Sequence, residues 1–88
     1  MGLFRIDKIF KLPKRGIIIA GNIVEGTVRS DMCIDYGNTP LKINAVEFID
    51  GNSTTQLFGL VIEDSENLDT GSLCSFFEGG IVSVYLLS

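Results

Sequence analysis

Residues 15–28 read RGIIIAGNIVEGTV. Ile17 to Ile19 and the pair Ile23-Val24 flank Ala20-Gly21, and Glu25-Gly26 closes the run. β-Branched side chains pack well on a pleated, extended backbone. An apolar run bounded by turn residues is the pattern of a buried strand. A glycine inside such a run marks a bend, a bulge or a close approach of another backbone. The segment therefore predicts a central strand over 17–24, bent at Gly21 and turned at Glu25-Gly26, around which the other strands close.

Towards the N-terminus, Leu3, Arg5, Asp7 and Ile9 share one parity and Phe4, Ile6, Lys8 and Phe10 the other. The adjacent Ile9-Phe10 breaks the alternation and predicts a bulge or a buried end. Pro13-Lys14-Arg15-Gly16 is a turn, because proline presets φ and glycine permits positive φ. Towards the C-terminus, Thr27 to Arg29 predicts a short extended piece and Ser30-Asp31 a turn, both side chains being able to bond nearby backbone. Met32, Ile34 and Tyr36 alternate with Cys33 and Asp35 and should face the core. After the loop 37–40, the pattern of Leu41 and Ile43 shifts between Ala45 and Phe48, which predicts a second bulge.

Asp50-Gly51-Asn52-Ser53 signals another turn, and residues 56–62 a buried strand. Residues 63–71 read as a polar loop, with one helical turn begun by Asp64 or Ser65 as an option. Residues 72–77 predict a short strand, 78–80 a turn and 81–87 a last strand. No segment sustains a 3.6-residue period. The chain is thus expected to be all-β, a single domain over residues 1–88 forming a small six- or seven-stranded antiparallel barrel.

An apolar content of 45% and a charged content of 20% are those of a folded domain. The net charge is −4, a poor basis for holding phosphate backbones. All seven basic residues precede residue 43, and seven acids with no base follow. Such asymmetry signals a partner-binding face, unless the barrel interleaves the two halves. With no His and no CxxC pair, the usual zinc ligand set is missing. Cys33 and Cys74 make no disulfide framework and are expected to stay reduced. Arg5, Asp7 and Lys8 interrupt any signal-peptide core, and no apolar run approaches the roughly 20 residues of a membrane span. These features predict a cytoplasmic protein with no membrane partner.

Catalysis by cysteine needs a base, normally His, so Cys33 reads as a strand residue and Cys74 as a small buried hydrophobe. Glu63-Asp64 and Glu66 with Asp69 match no EF-hand spacing and read as a solvated loop. No metal, no cofactor and no enzymatic activity are expected. Lys11, Lys14 and Arg15 gather at one turn, where a phosphate or an acidic partner could meet them. The aromatics sit mostly in apolar strand contexts rather than as exposed stacking platforms, so nucleic-acid binding is not expected.

Residues 4–10, FRIDKIF, followed by 14–28, KRGIIIAGNIVEGTV, resemble the second domain of the translational GTPases, the β-barrel of elongation factor Tu and its relatives. The family pattern is roughly I-E-D-V-F, a short turn, R-G-T-V-V-T-G-R-V, then a glycine turn. Ile6, Ile9, Phe10, Arg15, Gly16, Gly21, Ile23 and Gly26 fall on it without a gap. Weaker matches, Val46, Phe48, Gly59-Leu60, Leu68 and Gly71, extend it over about residues 4–74, leaving 75–88 as an extra C-terminal strand.

The resemblance implies a barrel of the translation-factor domain 2 type. It also implies a family site that helps hold the aminoacylated end of tRNA, at positions occupied here by Asp7, Lys8, Phe10 and Ala20. One acid has become Lys8, a threonine has become Ala20, and the P-loop of the GTPase domain is absent. Phe10 reads equally well as core.

The function expected is a non-catalytic protein-interaction module, with an RNA- or ribosome-associated accessory domain derived from a translation factor as the alternative. The candidate partner-binding residues are Asp7, Lys8, Phe10, Lys11, Lys14, Arg15, Tyr85 and Leu87. Residues 81–87 are apolar on both parities and cannot lie as a free edge. They must pair with the first strand of the same chain or with a second copy, which predicts a homodimer covering their outer face.

Overall fold

The isoleucine-rich run is β2 (Gly16–Gly26), the strand with the longest antiparallel ladder, to β1 (Gly2–Leu12). The computed structural model describes residues 1–49, 57–63, 68–77 and 79–86. Four further strands follow, β3 (Met32–Tyr36), β4 (Thr39–Ile49), β5 (Leu57–Ile62) and β6 (Ile81–Leu86), with one helix, α1 (Thr70–Phe77), before the last. All pairings are antiparallel, and the strands close into a barrel in the order β1-β2-β5-β4-β3-β6. The fold is therefore a small all-β barrel of six strands.

Closure relies on two strands that change neighbours. β4 pairs with β3 through residues 39–42 and with β5 through 43–49. β6 pairs with β1 through residues 81–84 and with β3 through 85–86. The C-terminal strand thus pairs with its own chain on both sides.

The breaks in alternation are bulges. The β1–β2 register slips between Leu3 and Phe4 and again between Ile6 and Lys8, leaving Asp7 unmatched. The β4–β5 register slips between Ile43 and Ala45. An extra residue flips the parity of everything beyond it. Phe4 and Ile6 enter the interior, then Ile9 packs against it; likewise Leu41 and Ile43, then Val46. The interior cluster also holds Ile17, Ile19, Met32, Ile34, Leu60, Ile62 and Val84, with Tyr36 packed against it, as the parity of β3 predicts.

β2 is apolar on both parities because both of its faces are covered. Ile17 and Ile19 belong to the interior cluster; Ile18 and Ala20 do not, yet are as deeply buried. Strand register sets Phe10, Ile18, Val61 and Ala45 in one row across the outer face of β1, β2, β5 and β4. Gly21 faces Ile6 on one side and Phe58 on the other. A Cβ at Gly21 would fall on the carbonyl oxygen of Arg5, so this glycine serves close backbone approach.

Two expected segments differ. Residues 72–77 are not a strand but most of α1. Asp69 caps it: its Oδ2 accepts from the Ser72 N–H at 3.0 Å and from the Ser72 hydroxyl at 3.2 Å, and its carbonyl accepts from the Leu73 N–H at 2.9 Å. Leu73 and Phe77, four residues apart, bury one helix face. Asp69→Ala should lower stability by about 1 kcal/mol, a fall of ~4–8 °C in midpoint. An unchanged melt would show that the cap does not form in solution.

Thr27 to Arg29 is not a strand but the connection from β2 to β3. Val28 buries itself in the core, and the Thr27 N–H reaches the Met1 carbonyl at 3.4 Å. Ser30-Asp31 does turn, with Asp31 at φ 74°. The expected turn at Asp50 to Ser53 and the helical option at Asp64 or Ser65 lie outside the described residues.

Candidate partner-binding surface

β1 and its turn to β2 carry Arg5, Lys8, Lys11, Lys14 and Arg15, all exposed. The turn is tight: the Arg15 N–H donates to the Leu12 carbonyl at 3.1 Å, with Lys14 at φ 69° and Gly16 at φ 106°. A non-glycine residue at positive φ is uncommon, and here it holds the Lys14 side chain at the hairpin tip. The bulge at Asp7 sets Lys8 opposite Ala20 and Phe10 opposite Ile18, on the outer face. Lys8 Nζ lies 5.9 Å from the centroid of the Phe10 ring, within cation–π range. Phe10 is half-buried and lies outside the interior cluster, so it is not a core residue of the barrel.

Arg15 forms an ion pair with Glu47 of β4. Arg15 immediately precedes β2, and β5 lies between β2 and β4, so the pair reaches across β5. Exposed pairs of this kind add little stability. An open cleft of about 680 Å³ at the hairpin tip is lined by Lys11, Lys14, Arg15, Asn44 and Glu63, among others.

The structure therefore gathers Asp7, Lys8, Phe10, Lys11, Lys14 and Arg15 along one hairpin. Tyr85 stands apart, paired with Cys33 where β6 meets β3. Its hydroxyl donates to Asp35 Oδ1. The hydrogen bond to Asp35, then desolvation and the charges of Asp35 and Cys33, push the Tyr85 pKa up to about 12 from its ordinary 10.0. Folding thus favours the protonated phenol. That contribution is present below the unfolded pKa of 10.0 and is lost as pH rises through about 12. Phenolate absorbance should show one tyrosine ionising late, and Asp35→Asn should return it towards 10.0. A Tyr85 midpoint near 10.0 in the native protein would show that the bond is absent. Leu87 lies outside the described residues.

A second cleft, of about 270 Å³, opens between β1 and α1 and is lined by Ile6, Asp7, Lys8, Ile9, Cys74 and Gly79. Cys74 is exposed there rather than buried, with its thiol 3.8 Å from the Ile9 carbonyl. The reason is the helix: Leu73 and Phe77 take its inner face. The buried cysteine is Cys33, and both thiols are free. Two surface aromatics escaped the sequence reading. Phe76 is 54% exposed, edge-on to Tyr36, and Phe48 is 59% exposed, edge-on to Phe58.

Among the described residues, no group of three or more His, Cys, Asp or Glu side chains is placed to hold a metal ion. No helix among them is long and apolar enough to cross a membrane. What the hairpin offers is charge and an aromatic ring, which are means of binding. No protein-family model matches the chain, and no curated protein sequence matches it significantly.

Proposed function

We propose that this chain is a non-catalytic protein-interaction module on an elongation-factor-type barrel, with the β1–β2 hairpin as its contact surface. The observation that carries this is the separation of charge. Residues 5–15 hold five basic side chains and one acid, whereas the rest of the chain holds two basic side chains and ten acids. A positive hairpin on a negative body orients an encounter and selects acidic partners. The run from Ile6 to Gly26 is what supports the elongation-factor likeness. Two free thiols support a reducing compartment, the cytoplasm, as the place of action.

A photo-crosslinking amino acid in place of Lys14 tests this in extract of the native cell. The expected product is a protein adduct that survives nuclease treatment. Adducts lost with nuclease, or none, would overturn the reading. The basic hairpin also gives the RNA- or ribosome-associated alternative its one foothold. RNA affinity is expected to be weak at near-physiological salt; micromolar binding with a steep salt slope would favour that alternative.

Self-association through β6 is the partner arrangement favoured by Ile81 and Leu86, which are 50% and 55% exposed. Sedimentation should show a dimer that Leu87→Lys dissociates; a monomer at about 100 μM would exclude a dimer of useful affinity.

A further inference from the structure

We infer that the outer face of β1, at Arg5, Lys8, Phe10 and Leu12, takes an extended segment of a partner protein in which carboxylates are followed by apolar side chains. This rests on the interaction-module reading and specifies its surface and partner chemistry. Strand register puts the four side chains on one face. Arg5, Lys8, Phe10 and Leu12 lie opposite Asn22, Ala20, Ile18 and Gly16, each two residues from the next on β2. Alternate residues of a strand share a face, and Ile17 and Ile19 hold the inner one. The bulge at Asp7 is what brings Arg5 and Lys8 into line. Ile9 and Lys11, opposite Ile19 and Ile17, belong to the inner parity and take no part.

Charge complementarity names the occupant. Arg5 and Lys8 are exposed and, among the described residues, neither meets a carboxylate. Arg15, by contrast, is held by Glu47, and Lys42 Nζ lies 3.9 Å from Asp31. Two uncompensated cations on a chain of net charge −4 attract carboxylates from outside and refuse basic segments. Beside them the face is apolar. Phe10 is half-buried, with Lys8 Nζ 5.9 Å from its ring centroid, and Leu12 is 38% exposed. Single exposed apolar side chains are ordinary. A ring and a leucine in line with two unpaired cations form a mixed surface, which selects a mixed segment.

Spacing sets the pattern of that segment. The four β1 positions follow at steps of about 6.6 Å, two residues of β2 each, and alternate residues of an extended peptide keep the same step. Two carboxylates at alternate positions meet Arg5 and Lys8. Apolar side chains at the next two alternate positions meet Phe10 and Leu12. The whole contact is about 20 Å long. Asp7, exposed in the bulge between the two cations, lines the cleft towards α1 together with Lys8. It repels a further acid there, so an unbroken acidic run is disfavoured. Side chains alone make this contact, across the face of the strand and not along its edge.

The test uses the full chain and three short labelled peptides followed by fluorescence anisotropy at physiological salt. They are Glu-Ser-Glu-Ser-Phe-Ser-Leu, the same peptide with serine for its two apolar residues, and the same peptide with lysine for its two glutamates. The first should bind about tenfold tighter than the second, and the third should not bind. The first should also shift the ring protons of Phe10. Arg5→Glu and Lys8→Glu, both at exposed positions, should each weaken it by about tenfold, with a thermal melt of each variant confirming the fold. Arg29→Glu, an exposed cation off this face, should leave the affinity unchanged. Equal affinity of the first two peptides would overturn the proposal, and so would an equal loss from Arg29→Glu. A protein partner crosslinked at Lys14 without any peptide binding would overturn the β1 face and leave the module standing. Absence of any crosslinked partner would remove the module reading itself.

Discussion

Gly21→Ala should destabilise the barrel by about 3 kcal/mol, lowering its thermal midpoint by ~12–24 °C. The backbone at Gly21 is not in the left-handed region, so conformation alone does not demand glycine. On those grounds alanine would stabilise slightly, by about 0.4–1 kcal/mol, through the unfolded chain. Sterics decide the sign. The added Cβ meets the Arg5 carbonyl oxygen, and next the Cε2 of Phe4 at 3.0 Å. The obstacle is backbone held in a ladder, which cannot rotate aside as a side chain would. β1 and β2 must separate locally, at the point where Gly21 faces Ile6. A domain of this length has about 5–10 kcal/mol in total, so Gly21→Val should leave little folded protein. A midpoint unchanged in Gly21→Ala would show that the strands do not approach as closely as described.

Phe4→Ala should cost about 3–5 kcal/mol, as the loss of a fully buried ring from a packed core. Phe4 has no exposed surface and lies between Ile23 of β2 and Val82 of β6, so its ring ties the hairpin to the closing strand. The two substitutions touch the same place but by different means. Deleting the ring clears only the lesser of the obstacles to Gly21→Ala, so Phe4→Ala should not rescue it. Recovery of stability in the double variant would mean that the ring, not the Arg5 carbonyl, is what excludes a side chain at Gly21. Chemical denaturation of all three variants measures this.

β2, its turn from β1 and two of the three register slips are legible in the sequence because period-two alternation and its failures are local, whereas the slip between Leu3 and Phe4 leaves no such mark. Ile9-Phe10 and the shift between Ala45 and Phe48 each announce an extra residue, and each slip lies a little earlier, at Asp7 and between Ile43 and Ala45. α1 was hidden because two helical turns are too short to show a period, and the short run from Leu73 to Phe77, apolar but for Ser75, reads equally as a buried strand. The signal that could have found it is Asp69 three residues before Ser72, with Leu73 and Phe77 four apart. The basic hairpin was legible because its charges fall within the single stretch 5–15. The bond from Tyr85 to Asp35 and the ion pair from Arg15 to Glu47 were not, since register across the closed barrel, rather than sequence proximity, brings them together. The outer row of Phe10, Ile18, Val61 and Ala45 likewise exists only once four strands are in register.

The barrel closes because β6 leaves β1 after Arg5 to pair with β3 of the same chain. Isotope-filtered cross-strand NOEs on a mixture of labelled and unlabelled protein test it directly. The account predicts contacts between the backbones of Phe4 and Val82 and of Cys33 and Tyr85 within single molecules. The same contacts seen only between differently labelled molecules, or contacts of β6 running along β1 into residues 8–12, would contradict it.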